Sequence, residues 1–190
     1  MIRLATADDA TACLAIYAPV VAGTAISFEI EVPTVEEMER RIRKTLTRYP
    51  WLLLAEAGEV LGYAYAGAHR ERPAYQWSVN VSVYVSPAAR RTGVGRRLYT
   101  SLLSLLRLQG FVNVFAGIAL PNAGSVGLHE ALGFQPIGVY RNSGFKLGRW
   151  VDVGRWQLQL QDLPGEPVPP LCLAEAMKQP GWAAALAGGD

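Results

Sequence analysis

The sequence predicts one α/β domain, and three observations carry that expectation. Strand-like alternation and helix-like periodicity take turns along the chain from Ile2 to Leu160. One stretch, Val79 to Leu108, runs from a strand through a glycine loop directly into a helix. The 190 residues suffice for one domain with a full core and are too few for two of ordinary size.

Ile2 to Ala5 reads as a short first strand. Thr6, with Asp9 three residues on, forms a candidate capping box that opens a helix through Cys13, Ile16 and Tyr17 to Pro19. A second helix is announced in the same way: Thr34 and Glu37 cap it, Met38, Ile42 and Leu46 form its apolar face, and Pro50 stops it. The intervening Gly23 to Glu29 segment is either a plain connection or a wall of a substrate site. Trp51 to Ala55 and Val60 to Ala66 are two strands joined near Ala57-Gly58-Glu59, so a hairpin is expected. The next connection, His69 to Tyr75, offers cations and an aromatic ring, or else is a solvated charged loop.

Val79, Val81, Val83 and Val85 then alternate as a half-buried strand does. After Ser86-Pro87, the run Arg90-Arg91-Thr92-Gly93-Val94-Gly95 leads into a helix that carries Leu98, Leu102, Leu105 and Leu106 on one face and ends near Gly110. Glycines let a backbone approach a ligand closely, and the free N–H groups of a helix start favour an anion. Arg90, Arg91, Arg96 and Arg97 add donors suited to phosphate oxygens. A dinucleotide fingerprint would need a glycine where Leu98 stands, and the Gly-Lys-Ser/Thr of a Walker loop is missing. The loop therefore reads as an anion site, most simply for a pyrophosphate, with a tight turn bearing solvated arginines as the plainer alternative.

Val112 to Ala119 is the next strand, followed by Pro121 to Ser125 and a helix with Val126, Leu128 and Leu132 that closes at Gly133. Phe134 to Val139 and Val153 to Leu160 complete the strands, separated by the polar segment Arg141 to Asp152. The division expected is a domain over residues 1–162 and a Pro/Ala-rich tail over 163–190, outside the core and either disordered or laid against a partner subunit.

The formal charge is +2 with 18% charged residues, and the basic excess sits around the glycine loop, which argues against nucleic acid as a partner. Cys13 and Cys172 have neither metal-ligand spacing nor the density of a disulfide scaffold, so a reducing cytoplasm and no metal are expected. No apolar run approaches the ~20 residues of a membrane span, and Met1 to Leu4 lacks the apolar core of a secretory signal.

At R-x-x-G-x-G the chain resembles the acetyl-CoA loop of the GCN5-related N-acetyltransferases (GNAT). Six segments in order narrow the resemblance to the phosphinothricin and methionine sulfoximine acetyltransferases: Ala25 to Glu29, Ala74 to Trp77, Val83 to Pro87, Arg91 to Gly95, His129 to Phe134, and Gly144 to Trp150 with Asp152 to Gly154. The resemblance implies the acyl-CoA N-acyltransferase fold, a mixed, mostly antiparallel twisted sheet flanked by helices, in a homodimer. It implies that the backbone of Val83, Tyr84 and Val85 pairs with the pantetheine arm of acetyl-CoA, and that Arg90, Arg91, Thr92, Gly93, Val94, Gly95 and Arg96 hold the pyrophosphate. Asn122 and Ser125 would meet the cofactor arm, with helix capping as an equally good structural role.

The same resemblance makes His129 a catalytic candidate, as acid toward the departing sulfur or as part of a water chain to the amine. A glutamate is usual in this subfamily where the chain has Asn80, and an amide cannot take a proton at neutral pH. Asn80 is left to order a water. Arg70, Arg72 and Tyr75 match substrate-side positions, Phe28 would form an apolar wall and Lys146 would close the site; cations and a phenol suit the acidic groups of a small amino-acid-like acceptor. The expected chemistry is direct acetyl transfer to that acceptor's amino group, with an oxyanion-stabilising N–H near Val83. Alternatives are an acyl-CoA sensing module, favoured by Asn80, and a transferase for peptide N-termini or polyamines.

Overall fold

The computed structural model describes residues 1–188. Its strands are β1 (Ile2–Leu4), β2 (Trp51–Glu56), β3 (Glu59–Ala68), β4 (Ser78–Val85), β5 (Asn113–Leu120), β6 (Gln135–Lys146) and β7 (Arg149–Gln159). The helices are α1 (Ala10–Gly23), α2 (Val35–Leu46), α3 (Val94–Gln109), α4 (Ala123–Ala131), α5 (Leu173–Ala176) and α6 (Trp182–Ala187). The strands form one sheet in the order β1-β2-β3-β4-β5-β7-β6. Every neighbouring pair is antiparallel except β4 and β5.

The two faces of the sheet bury different sets, as period-2 side chains require. Leu52, Leu54, Ala64, Ala66, Val79 and Val81 meet Leu98, Leu102, Leu105 and Leu106 of α3. Leu53, Trp51 and Tyr63 meet Cys13, Ile16 and Val21 of α1 and Met38 and Ile42 of α2. Thr34 Oγ1 accepts from Glu37 N, the expected cap of α2. At the first helix the Thr6–Asp9 box caps a 3-10 turn, and α1 follows it directly.

Three expectations need correction. Pro19 does not stop the first helix, which continues to Gly23. Proline removes one i→i−4 bond, and packing against the sheet carries the remaining turn. The polar stretch 141–152 is strand: β6 and β7 form one long hairpin across it, turning at Leu147-Gly148, both in the left-handed region at φ 50° and 74°. Its pairing shifts between Pro136 and Gly138 and between Tyr140 and Gly144, and such irregularities erase the alternation by which a strand is read. The tail packs on its own chain, with Leu173, Ala176 and Ala185 buried and Trp182 and Leu186 against the α3-side core. Gln109 Nε2 ties it down by donating to Leu171 O (2.9 Å).

Candidate active site

β4 and β5 pair at only three rungs, Ser78–Asn113, Val79–Val114 and Asn80–Phe115. Beyond Asn80 they part, while β4 stays paired to β3 as far as Val85 and β5 to β7 as far as Leu120. The β5-facing edge of residues 81–85 is thus a strand edge open to a ligand. A cleft of about 540 Å³ begins there and runs to the start of α3.

The glycine loop closes one end of that cleft. Arg91 (φ 64°) and Gly93 (φ 89°) are both left-handed, which turns the chain sharply into α3. The first helical bond here is Arg97 N to Gly93 O (3.0 Å), so the N–H groups of Val94, Gly95 and Arg96 precede it and are free for an anion. A Cβ on Gly95 would lie 3.1 Å from Leu128 Cδ2, so its bare backbone is what lets the loop approach α4.

Val83, Tyr84, Val85, Arg90, Arg91, Gly93, Val94, Gly95, Arg96, Asn122 and Ser125 all line this cleft. Thr92 does not: its hydroxyl donates to Ala89 O (2.7 Å) and stabilises the turn instead. Asn122 caps α4, its Oδ1 accepting from Ser125 N at 3.1 Å, and still borders the cleft, so capping and ligand contact coexist.

A recess of about 60 Å³ continues between the splayed strands and is lined by Val83, Tyr84, Asn122, Ser125, Tyr99 and His129. His129 is 3% exposed, and neither ring nitrogen is free. Nδ1 donates to Ser125 O (2.7 Å) and Nε2 accepts from Tyr99 Oη (3.2 Å). Burial pushes its pKa below the ordinary value, against a smaller opposing effect of the Ser125 bond. The imidazole is neutral near pH 7 and has no proton of its own to give the sulfur. Tyr99, whose phenol burial holds well above its usual range, is the neutral donor in that bond and borders the same recess.

Of the residues expected to meet an acceptor, Phe28 is exposed and stands so close over Gly144 that a Cβ there would lie 2.1 Å from its ring. Arg70, Arg72 and Tyr75 stand exposed on the β3–β4 connection, and the two guanidinium groups make no hydrogen bond among the described residues. Lys146 is not there to close the site. It is 6% exposed and its Nζ donates to Val21 O (2.6 Å) and Ser27 O (2.8 Å), which fastens the α1–α2 loop from below. Ser27 also meets Tyr17 Oη (2.7 Å), which donates to Glu29 (2.9 Å), itself paired with Arg41 (2.7 Å). Asn80 sits at the apex of the parting strands with His69 as its partner, 3.1 Å away.

A splayed parallel strand pair with a glycine loop at its mouth is a site for an extended phosphate-bearing ligand. The model of the acetyltransferase (GNAT) domain matches residues 2–154. The chain belongs to the GNAT acetyltransferase family. It is 44% identical over 168 residues to a phosphinothricin N-acetyltransferase of Streptomyces viridochromogenes, covering 88% of this chain and 91% of that one. It is 36% identical over 162 residues to an L-methionine sulfoximine/L-methionine sulfone acetyltransferase of Salmonella typhimurium, covering 85% and 95%. A GNAT phosphinothricin acetyltransferase of Sinorhizobium meliloti, solved with acetyl-CoA, superposes with a TM-score of 0.84 at 34% identity, covering 91% of this chain and 97% of that one.

Two residues of this acetyltransferase escape a sequence reading. Tyr99 lies on the apolar face of α3, where its spacing marks it as core, and nothing in the sequence ties it to His129 thirty positions on. His69 is one polar residue in a charged connection, and only the β3–β4 register brings it to Asn80.

Proposed function

We propose that this enzyme transfers the acetyl group of acetyl-CoA to the amino group of a small amino-acid-like acceptor of the phosphinothricin or methionine sulfoximine type. The observation that carries the reading is the cleft where β4 and β5 part, with the glycine loop at one end. Acetyl-CoA, when bound, supplies the acetyl group as an activated thioester.

The chain's residues divide the remaining work. The N–H groups of Val94, Gly95 and Arg96, with the Arg90, Arg91 and Arg96 guanidinium groups, hold the pyrophosphate. The open edge of Val83 to Val85 pairs with the pantetheine arm, and a backbone N–H near Val83 stabilises the oxyanion. Arg70, Arg72 and Tyr75 take the acidic groups of the acceptor, with Phe28 as an apolar wall. Such positioning lets the amine attack directly.

The reading extends to a cytoplasmic homodimer. Ile137, Tyr140, Phe145, Leu147 and Trp150 of the β6–β7 hairpin are each more than half exposed, a cluster of apolar groups that a second copy would cover. Cys13 and Cys172 are free thiols, which fits a reducing compartment. A solution mass of one chain would remove the dimer.

The test of the main reading is thiol release from acetyl-CoA with phosphinothricin, methionine sulfoximine, amino acids and polyamines, beside calorimetric binding of acetyl-CoA alone. Turnover confined to amino-acid analogues is expected. Binding without turnover on any amine would overturn the reading in favour of a sensing module, and turnover only on polyamines or peptides would reassign the acceptor.

A further inference from the structure

Once Asn80 is an amide, the group that frees the acceptor amine of its proton must be found elsewhere. Neither cleft between the parting strands is lined by a carboxylate among the described residues. Glu29 is held by Arg41 and Tyr17, and both nitrogens of His129 are bonded. His69 lines neither recess, but it stands on Asn80 at the rung where the strands part, and its ring is the candidate left.

His69 continues the line of β3, its N–H donating to Ser78 O (3.4 Å). Its ring stacks on Phe115 with centroids 4.1 Å apart, beside the last rung of the β4–β5 pairing, and Tyr75 packs edge-on at 5.7 Å. The hydrogen bonds of Asn80 fix its tautomer. Ala68 O can only accept, so the Asn80 Nδ2 group faces it at 3.2 Å. Asn80 Oδ1 therefore faces His69 Nδ1 at 3.1 Å, and since that oxygen can only accept, Nδ1 carries the hydrogen. Nε2 is left with its lone pair and has no hydrogen-bond partner among the described residues.

We infer that His69, held in this tautomer by Asn80, is the base that takes a proton from the acceptor ammonium; the inference rests on the transferase reading above. Three residues of strand, about 10 Å, separate Asn80 from Val83, where the oxyanion is placed, so the proton crosses a short chain of waters. The ammonium loses one proton to Nε2. The amine lone pair forms the C–N bond, the C–S bond breaks with its electrons on sulfur, and the second amine proton ends on the thiolate. The imidazolium then returns its proton to solvent. Asn80 acts through His69 and is a positioning residue.

Few charges face the ring. From other elements it meets neutral Asn80 and Phe115, and Tyr75 is, among the described residues, the one titratable group packed on it. Arg70, Glu71 and Arg72 follow it in the same connection, and Arg155 of β7 covers Gly117, two residues beyond Phe115.

The experiment measures kcat/KM against pH for the intact enzyme, His69→Gln and Asn80→Ala, with acetyl-CoA binding by calorimetry on each. The expected wild-type profile has an acid limb. His69→Gln should lower kcat about 100-fold, within the usual range for a general base, and lose that limb while binding acetyl-CoA as before. Asn80→Ala should lower kcat about tenfold and displace the limb. A His69→Gln profile parallel to wild type, or an Asn80→Ala variant whose limb is not displaced, overturns the assignment while the transferase reading stands. No turnover by the wild type overturns both.

Discussion

Lys146→Met is the substitution that best separates fastening the acceptor loop from binding the acceptor. The ammonium is buried and donates to two backbone carbonyls, one of which, Val21 O, belongs to the last turn of α1 and has no helical partner. Two hydrogen bonds from a charged donor are worth roughly 3–6 kcal/mol together. Removing a buried cation returns its desolvation, and the thioether fills most of the space, so a net loss of about 3 kcal/mol remains. For a chain of this size that lowers Tm by roughly 6–12 °C. Denaturant unfolding should show the midpoint shifted with an unchanged slope.

The kinetic consequence is as specific. Of the α1–α2 loop, Ile26 lines the cofactor cleft, while Phe28 stands over Gly144 on the acceptor side. Loosening the loop should raise the acceptor KM about tenfold, equivalent to about 1.4 kcal/mol, and leave acetyl-CoA affinity within twofold. A stability loss under 0.5 kcal/mol, in the range of ordinary surface substitutions, or an acceptor KM raised with no shift of the unfolding midpoint, would refute the fastening role. In either case Lys146 would return to the list of groups that meet the acceptor.

Three further outcomes are expected. Gly62→Ala would place a Cβ 2.8 Å from Tyr84 O and 3.0 Å from Val94 Cγ1; because backbone cannot yield as a side chain does, β4 should shift at the cleft, weakening acetyl-CoA binding several-fold by calorimetry at ~1–3 kcal/mol of stability. Burial pushes His129 below its ordinary value of 6.5, so the unfolded chain takes up a proton that the folded chain refuses. This stabilisation is complete above pH 6.5 and is lost as pH falls toward the lowered value, and His129→Asn should flatten that part of a Tm-against-pH curve. Burial also pushes the Cys13 thiol up to about 12, whereas Cys172 is half-buried in the tail; alkylation at pH 8 should label Cys172 and spare Cys13 until the protein unfolds, and equal labelling of both would contradict the packing of α1.

What the sequence made legible was local. Caps, hairpin turns and the passage from Val79 to Leu108 are written in neighbouring residues, so the glycine loop and the helix it starts could be anticipated residue by residue. Contacts that depend on register could not. β6 and β7 lost their alternation to two pairing shifts, and the tail's few apolar anchors lie among prolines that read as linker. Lys146 looked like a ligand group because sequence shows a charge and not its burial; 119 positions separate it from the Ser27 carbonyl it holds.

The same reasoning bears on the residue where this chain departs from its subfamily's pattern. Read alone, Asn80 suggests a weakened enzyme, because a site without its usual carboxylate has lost its base. Read in the sheet, it is one half of a pair: β3 and β4 run antiparallel, Asn80 stands opposite Gly67, and the chain two residues past Gly67 is His69. The amide reaches both Ala68 O and the imidazole. An amide that selects a tautomer and an imidazole with a free lone pair can together do what one carboxylate does. The pair has a dependence that a lone carboxylate lacks. Its activity needs both partners, so in a double-mutant cycle His69→Gln and Asn80→Ala should be strongly non-additive, the double variant losing little more than His69→Gln alone. Additive losses would mean that the two residues serve separate tasks.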